Sequence, residues 1–325
     1  MTETGIHQIT IPTPYAVGDV HVYIVKDELI TLVDAGVHTK EAWEAFCEGL
    51  KEINLQPKDI DQIVLTHHHP DHIGLVGRLD HVDRVYGHEL VNLWLTRDQD
   101  FMNQYLTFFN NLYDQWGVPE EFQDIEKALK YTLKLSTPSE LTHILHEGDK
   151  IPGFGDFVTL ETPGHAESHL SFYNPNSQVF LAGDFLLKHI SSNPLLEPPV
   201  NQGEVRPKPL IRYRESMQKV LDYNFSEILP GHGEVFSGHQ PLIIDRLAKQ
   251  EKRANKVFEF IRQKPATPFE ICQFLFPKHY KHQFGLTMSE TVGQLDYLED
   301  VGKIKEVIDS GQSRYVANHP ISNGV

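Results

Sequence analysis

The chain of 325 residues is short of cysteine, short of positive charge and free of long apolar runs. Its two cysteines, Cys47 and Cys272, are too few for a disulfide framework and too far apart in sequence to form a metal-binding pair. Cys47 instead falls on the apolar face of an expected helix, with Ala42, Trp43, Phe46, Leu50 and Ile53, and so reads as core. Lys and Arg number 29 against 45 Asp and Glu, a net charge of −16, which opposes unspecific binding to nucleic-acid phosphates. No segment approaches the roughly 18 apolar residues of a membrane helix. The opening stretch, MTETGIHQIT, lacks the basic and apolar regions of a secretory leader, so a cytoplasmic location without membrane association is expected. Repeats and low-complexity tracts are absent, and 22 Gly with 20 Pro are too few for a collagen-like or disordered chain.

What is present suits a globular α/β protein. Hydrophobic residues make up 40% and charged residues 23%, and the length suggests two domains or one with an appendage. From Asp245 onward there are 12 basic and 10 acidic side chains, leaving 17 basic and 35 acidic in the first 244 residues. That shift, with a helix-rich pattern starting near His239, places a boundary at about 240. Before it, β-branched runs at 8–11, 21–25, 29–33, 62–66, 157–161, 169–173 and 178–182 read as strands, with a helix at 40–53. Residues 88–135 read as a helical insertion rich in aromatics (Trp94, Phe101, Tyr105, Phe108, Phe109, Tyr113, Trp116, Phe122), mainly its own core, with some rings lining a substrate pocket.

Chemistry concentrates in Leu65-Thr66-His67-His68-His69-Pro70-Asp71-His72-Ile73-Gly74, a His-x-His-x-Asp-His run after an apolar strand. Four ligands within six residues crowd one tetrahedral ion but serve two adjacent ones. In extended chain His67 and His69 project to one side, and His68, between them, points away. Asp71 and His72 lie where the chain turns toward a helix and address a second position.

On this signature the sequence resembles the metallo-β-lactamase-fold hydrolases. The further residues of that family's pattern are matched by His165 in Thr-Pro-Gly-His, Asp184 in Leu-Ala-Gly-Asp and His232 in Pro-Gly-His-Gly. The resemblance implies an αββα sandwich over 1–240, two face-to-face sheets with helices outside, and a dinuclear site along one edge. It implies that His67, His69 and His165 hold one divalent ion, Asp71, His72 and His232 a second, and that Asp184 bridges them. The ions would be zinc, with iron or manganese as alternatives, and a hydroxide between them the nucleophile, with Asp71 as base and ligand together. Asp34, ending Thr-Leu-Val-Asp, matches an aspartate that orients a ligand imidazole. With no cysteine ligand and with His at position 69, the set is similar to that of glyoxalase II, acyl-homoserine lactonases and RNase Z-like phosphodiesterases. His189, near Asp184, is a further candidate to face the site.

The region 241–325 reads as helices at 247–262, 268–276 and 288–301 followed by strands at 303–307 and 313–316, a winged-helix-like order. Its third helix carries Glu290, Asp296, Glu299 and Asp300 and no basic residue before Lys303, the wrong chemistry for a DNA groove. A packing or dimerisation module is expected, with an apolar stripe of Val292, Leu295, Leu298 and Val301, and a homodimer without nucleic acid as the assembly. The expected activity is hydrolysis of a small thioester or ester. The alternatives are a nuclease-like phosphodiesterase and a mononuclear iron oxidoreductase resembling persulfide dioxygenases.

Overall fold

The computed structural model of the protein describes residues 5–201 and 203–318. Strands β1 (Ile6–Ile11), β2 (Val20–Lys26), β3 (Ile30–Val33), β4 (Gln62–Val64), β5 (Val85–Gly87) and β6 (His143–Ile144) form one sheet in that spatial order. The first three run antiparallel and the remainder parallel. Strands β7 (Val158–Glu161), β8 (Leu170–Asn174), β9 (Val179–Gly183) and β10 (Glu227–Pro230) make a second sheet, ordered β10-β9-β8-β7. The strand period sorts the core. In β2, Val20, Val22 and Ile24 pack outward, while Tyr23 and Val25 join Val33, Val64, Phe172, Leu181 and Leu229 between the two sheets.

Helix α1 (Lys40–Glu52) covers the outer face of the first sheet with Ala42, Phe46 and Leu50, and Thr39 caps it by accepting from the Ala42 amide at 3.1 Å. The short α2 (Pro70–Ile73) follows the histidine run. The aromatic stretch folds as α3 (Glu89–Leu95), α4 (Gln99–Gln115) and α5 (Ile125–Lys134). Helices α6 (Pro209–Lys219) and α7 (His239–Gln263) bring Tyr213, Met217 and Ile243 onto the outer face of the second sheet. Helix, two sheets and helix is the αββα order that the resemblance implies.

After α7 come α8 (Pro268–Leu275), α9 (Phe284–Asp300) and a hairpin of β11 (Ile304–Asp309) and β12 (Gln312–Ala317). The residues after 240 share cores with those before it. Phe109, Tyr113, Trp116 and Ile125 of the insertion form one cluster with Phe269, Cys272, Met288 and Val292. Helix α9 lies so close to α6 that a Cβ at Gly293 would come within 2.8 Å of Leu210 Cβ. Asp296, 1% exposed, pairs with Arg206, whose guanidinium donates to it at 2.8 and 2.5 Å. The expected stripe needs one correction. Val292, Leu295 and Leu298 are fully buried, but Val301 is 45% exposed, because it follows the end of α9 at Asp300. No helix among the described residues is long and apolar enough to cross a membrane.

Candidate metal centre

Seven side chains named from the sequence converge at one edge of the sandwich, each on a loop that leaves a strand end or on the short helix α2. His67 and His69 follow β4, Asp71 and His72 ride on α2, His165 follows β7, Asp184 follows β9 and His232 follows β10. Their ligand atoms fall into three overlapping groups, each within 4.8 Å: His67, His69 and His165; His67, His72 and Asp184; and Asp71, His72 and His232. Asp184 stands in the middle. Its Oδ1 is 3.5 Å from His72 Nε2, and its Oδ2 is 3.5 Å from both His165 Nε2 and His232 Nε2. Asp71 Oδ2 lies 3.4 Å from His232 Nε2.

The ring orientations follow from what each Nδ1 meets. His165 Nδ1 faces the Asn193 carbonyl at 3.0 Å and His232 Nδ1 the Asp19 carbonyl at 2.7 Å. A carbonyl only accepts, so both rings carry their proton on Nδ1. His72 Nδ1 donates to Asp34 Oδ2 at 2.7 Å. The Thr66 hydroxyl donates to Asp34, so it accepts from His67 Nδ1 at 2.9 Å. Four Nε2 atoms are thereby turned into the centre with their neighbours already set, which is how imidazole ligands are oriented for a metal. Asp34 organises two of them from the left-handed region, at φ 60°.

The electrostatics divide the cluster. Burial and the neighbouring imidazoles of His72, His69, His169 and His165 hold the pKa of His67 well below its ordinary value. Burial and the nearby His165, His68 and His72 do the same for His69. Burial also opposes charge on His72 and His232, but Asp184 and the other carboxylates outweigh it, holding His72 well above the usual range and pushing His232 up to about 10. Burial alone would raise the Asp184 pKa, yet His232 and His72 hold it well below the carboxylate range. His72 Nε2 and Asp184 Oδ1 are buried and have no hydrogen-bond partner. Bare imidazole nitrogens, orphaned ligand atoms and carboxylates that favour positive charge where they meet fit a divalent-cation site.

His68 turns away from this cluster. Its Nδ1 meets Ser168 Oγ at 2.9 Å and its ring stacks on Trp94 at 4.7 Å, while burial followed by His165 and His88 pushes its pKa down to about 3. His189 does not face the centre; its Nε2 pairs with Glu234 at 2.5 Å on the exposed surface. Sequence reasoning missed His21, which binds the Gly233 carbonyl through Nε2 at 2.6 Å and so holds the His232 loop, and His169, buried beneath His67. A lone histidine in a strand carries no signal that separates such roles from ordinary packing.

Beside the centre lies a cavity of about 430 Å³. Its lining includes the apolar Leu90, Leu93, Trp94 and Phe101 and the charged Glu167 and Arg212. Trp94 stacks on His68, and Glu167 is two residues from His165, so the cavity lining includes neighbours of the ligand-bearing segments. Tyr105 and Phe109, expected candidates for a pocket, do not line it; both rings belong to the core packing of the insertion.

The fold and this site are those of a metal-dependent hydrolase, and the chain belongs to the metallo-beta-lactamase superfamily, which residues 15–232 match. It is 42% identical over 299 residues to "Probable metallo-hydrolase YqjP" of Bacillus subtilis (strain 168), covering 92% of this chain and 93% of that protein. A metallo-beta-lactamase family protein from Thermus thermophilus superposes with a TM-score of 0.82 at 26% identity, over 97% of this chain and 99% of that one. A shorter match, 26% identical over 110 residues, is to a hydroxyacylglutathione hydrolase of Hydrogenovibrio crunogenus, covering 34% of this chain and 40% of that protein.

Proposed function

We propose that the protein is a binuclear metal-dependent hydrolase of a small thioester or ester. The observation that carries this reading is Asp184, whose carboxylate lies 3.5 Å from His72 on one oxygen and 3.5 Å from both His165 and His232 on the other. His67, His69 and His165 would hold one ion, Asp71, His72 and His232 the other, with Asp184 shared and zinc the metal that best suits the ligand set. When bound, such ions acidify a water toward neutral pKa and polarise a substrate carbonyl. The chain's own groups do the rest. Asp34, Asn193 and Asp19 keep protons on the Nδ1 atoms and leave Nε2 free. Asp71, 3.4 Å from His232, would serve as the base that accepts a proton from the water as well as a ligand.

The acyl group would seat in the cavity against Leu90, Leu93, Trp94 and Phe101, a wall of the apolar kind that binds small organic groups. The relative named a hydroxyacylglutathione hydrolase supports a thioester. A nucleic-acid substrate is disfavoured by the net charge of −16 and by α9, whose buried face and Asp296–Arg206 pair commit it to packing inside the chain. We read the winged-helix-like order of the C-terminal region as a packing module, with the homodimer and the cytoplasmic location as part of the same proposal. The test is metal content of the purified protein together with turnover of thioesters, lactones, β-lactams and phosphodiesters. Two metal equivalents with thioester or ester hydrolysis support the reading; one iron with consumption of oxygen, or hydrolysis confined to phosphodiesters, refutes it.

A further inference from the structure

His169 sits 1% exposed directly below His67, the two rings stacked at 4.9 Å, yet its nitrogens are spent elsewhere. Its Nε2 accepts from the Asp184 backbone amide at 3.1 Å. An amide only donates, so the ring proton is on Nδ1, which donates to Thr162 Oγ1 at 2.9 Å. The same directions follow from the other end. Ser171 Oγ donates to the Ala182 carbonyl at 3.2 Å, so it accepts from the Thr162 hydroxyl at 2.8 Å, which in turn must accept from His169. Every proton in this relay is accounted for, and Thr162 and Ser171 are fully buried.

The relay begins at Asp184 and ends at Ala182, so it closes around Gly183, the residue where β9 stops. Gly183 has a φ of 51°, and a Cβ there would come within 2.9 Å of His169 Nε2. The chain thus turns through a left-handed residue immediately before Asp184. We propose that the His169–Thr162–Ser171 relay is a positioning device that aims the Asp184 carboxylate into the metal centre, and that His169 itself is not a ligand. Without an acceptor, the buried Asp184 amide would rotate to find another partner, and the carboxylate would move with it.

The inference rests on the metal-centre reading, and the experiment separates the two. Wild-type protein is stripped with chelator and titrated with Zn²⁺ by calorimetry, beside His169→Phe, His169→Gln and Thr162→Val, with the metal-free melting curve of each recorded. His169→Phe keeps a ring but offers no acceptor; its Zn²⁺ affinity should fall about 10–100-fold. His169→Gln restores an acceptor within reach of the Asp184 amide and should recover most of that loss. Thr162→Val, which leaves Nδ1–H without its partner, should fall between. A purely structural role would lower the metal-free melting temperature and leave the affinity of the folded protein unchanged. Wild-type affinity in His169→Phe overturns the relay, and if that variant does not fold, wild-type affinity in Thr162→Val does so. A wild-type protein that binds no divalent ion refutes the metal-centre reading instead.

Discussion

Replacing Asp34 by Asn tests whether imidazole orientation governs this site. Asp34 Oδ1 accepts from the Thr66 amide at 2.8 Å, and Oδ2 accepts from His72 Nδ1 at 2.7 Å. Asn tolerates the left-handed backbone at φ 60°, so the turn should survive. The Thr66 amide can only donate and meets Oδ1, whereas the Thr66 hydroxyl lies within reach of both oxygens, so the Asn oxygen should stay opposite the amide and its NH₂ group should face His72. Two donors then oppose each other, and His72 relieves the clash by moving its proton to Nε2, the atom turned into the centre. The lone pair that would bind metal is lost although the residue remains. Loss of such an orienting partner costs about 10–100-fold in metal affinity, or about 1.4–2.7 kcal/mol. The metal-free fold loses one buried, charge-assisted hydrogen bond of about 1.5–3 kcal/mol, so its melting temperature should drop by no more than about 12 °C. Calorimetric titration of chelator-stripped protein reads the first quantity and thermal unfolding the second. An Asp34→Asn protein that binds metal as tightly as wild type would refute the argument.

Asp184→Ala should abolish tight binding of two ions and hydrolysis together while circular dichroism stays native; two tightly held metals in that variant would sink the shared-ligand assignment. Leu93→Trp, which fills the cavity beside the centre, should raise KM for longer acyl thioesters several-fold at unchanged metal content, whereas an unaltered chain-length profile would mean that the acyl group binds elsewhere. Phe109→Ala should instead destabilise the fold by about 3–5 kcal/mol, since this ring is 5% exposed in the cluster that joins α4 to α8 and α9. Asp296→Ala should cost about 3 kcal/mol, seen as a lower denaturation midpoint, because it strands the Arg206 guanidinium, whose side chain is only 17% exposed; pairing it with Arg206→Met should restore much of the loss. Equal midpoints for the wild type and Asp296→Ala would remove the argument that α9 is anchored to the body.

Much of the architecture was legible along the chain because its signals are local. β-Branched runs marked β2 and β8, an apolar face marked α1, and a helical pattern marked the stretch that holds α4, since such signals depend only on the segment itself. Strands β5 and β6, three and two residues long, are too short to show a period; β5 pairs with the edge that β4 offers, and β6 with the edge of β5. The His67–His72 run was equally visible, because its ligands are neighbours in sequence and their spacing alone carries the chemistry.

Tertiary structure decided what depends on distant partners. His169 and His21 look like any other strand histidines until Asp184 and Gly233 are brought against them from elsewhere in the chain. Asp296, an acidic residue on an outwardly ordinary helix, becomes buried only because Arg206 arrives to neutralise it. The aromatics of 88–135 gave no clue to which rings pack and which line the cavity; that division follows from where α8 and α9 dock, covering Phe109 and Tyr113 while leaving Trp94 and Phe101 at the cavity wall. Local sequence determines the elements and the ligand run, because periodicity and spacing are short-range properties. Orientation, burial and proton placement are pairwise and long-range, and only the assembled fold can set them.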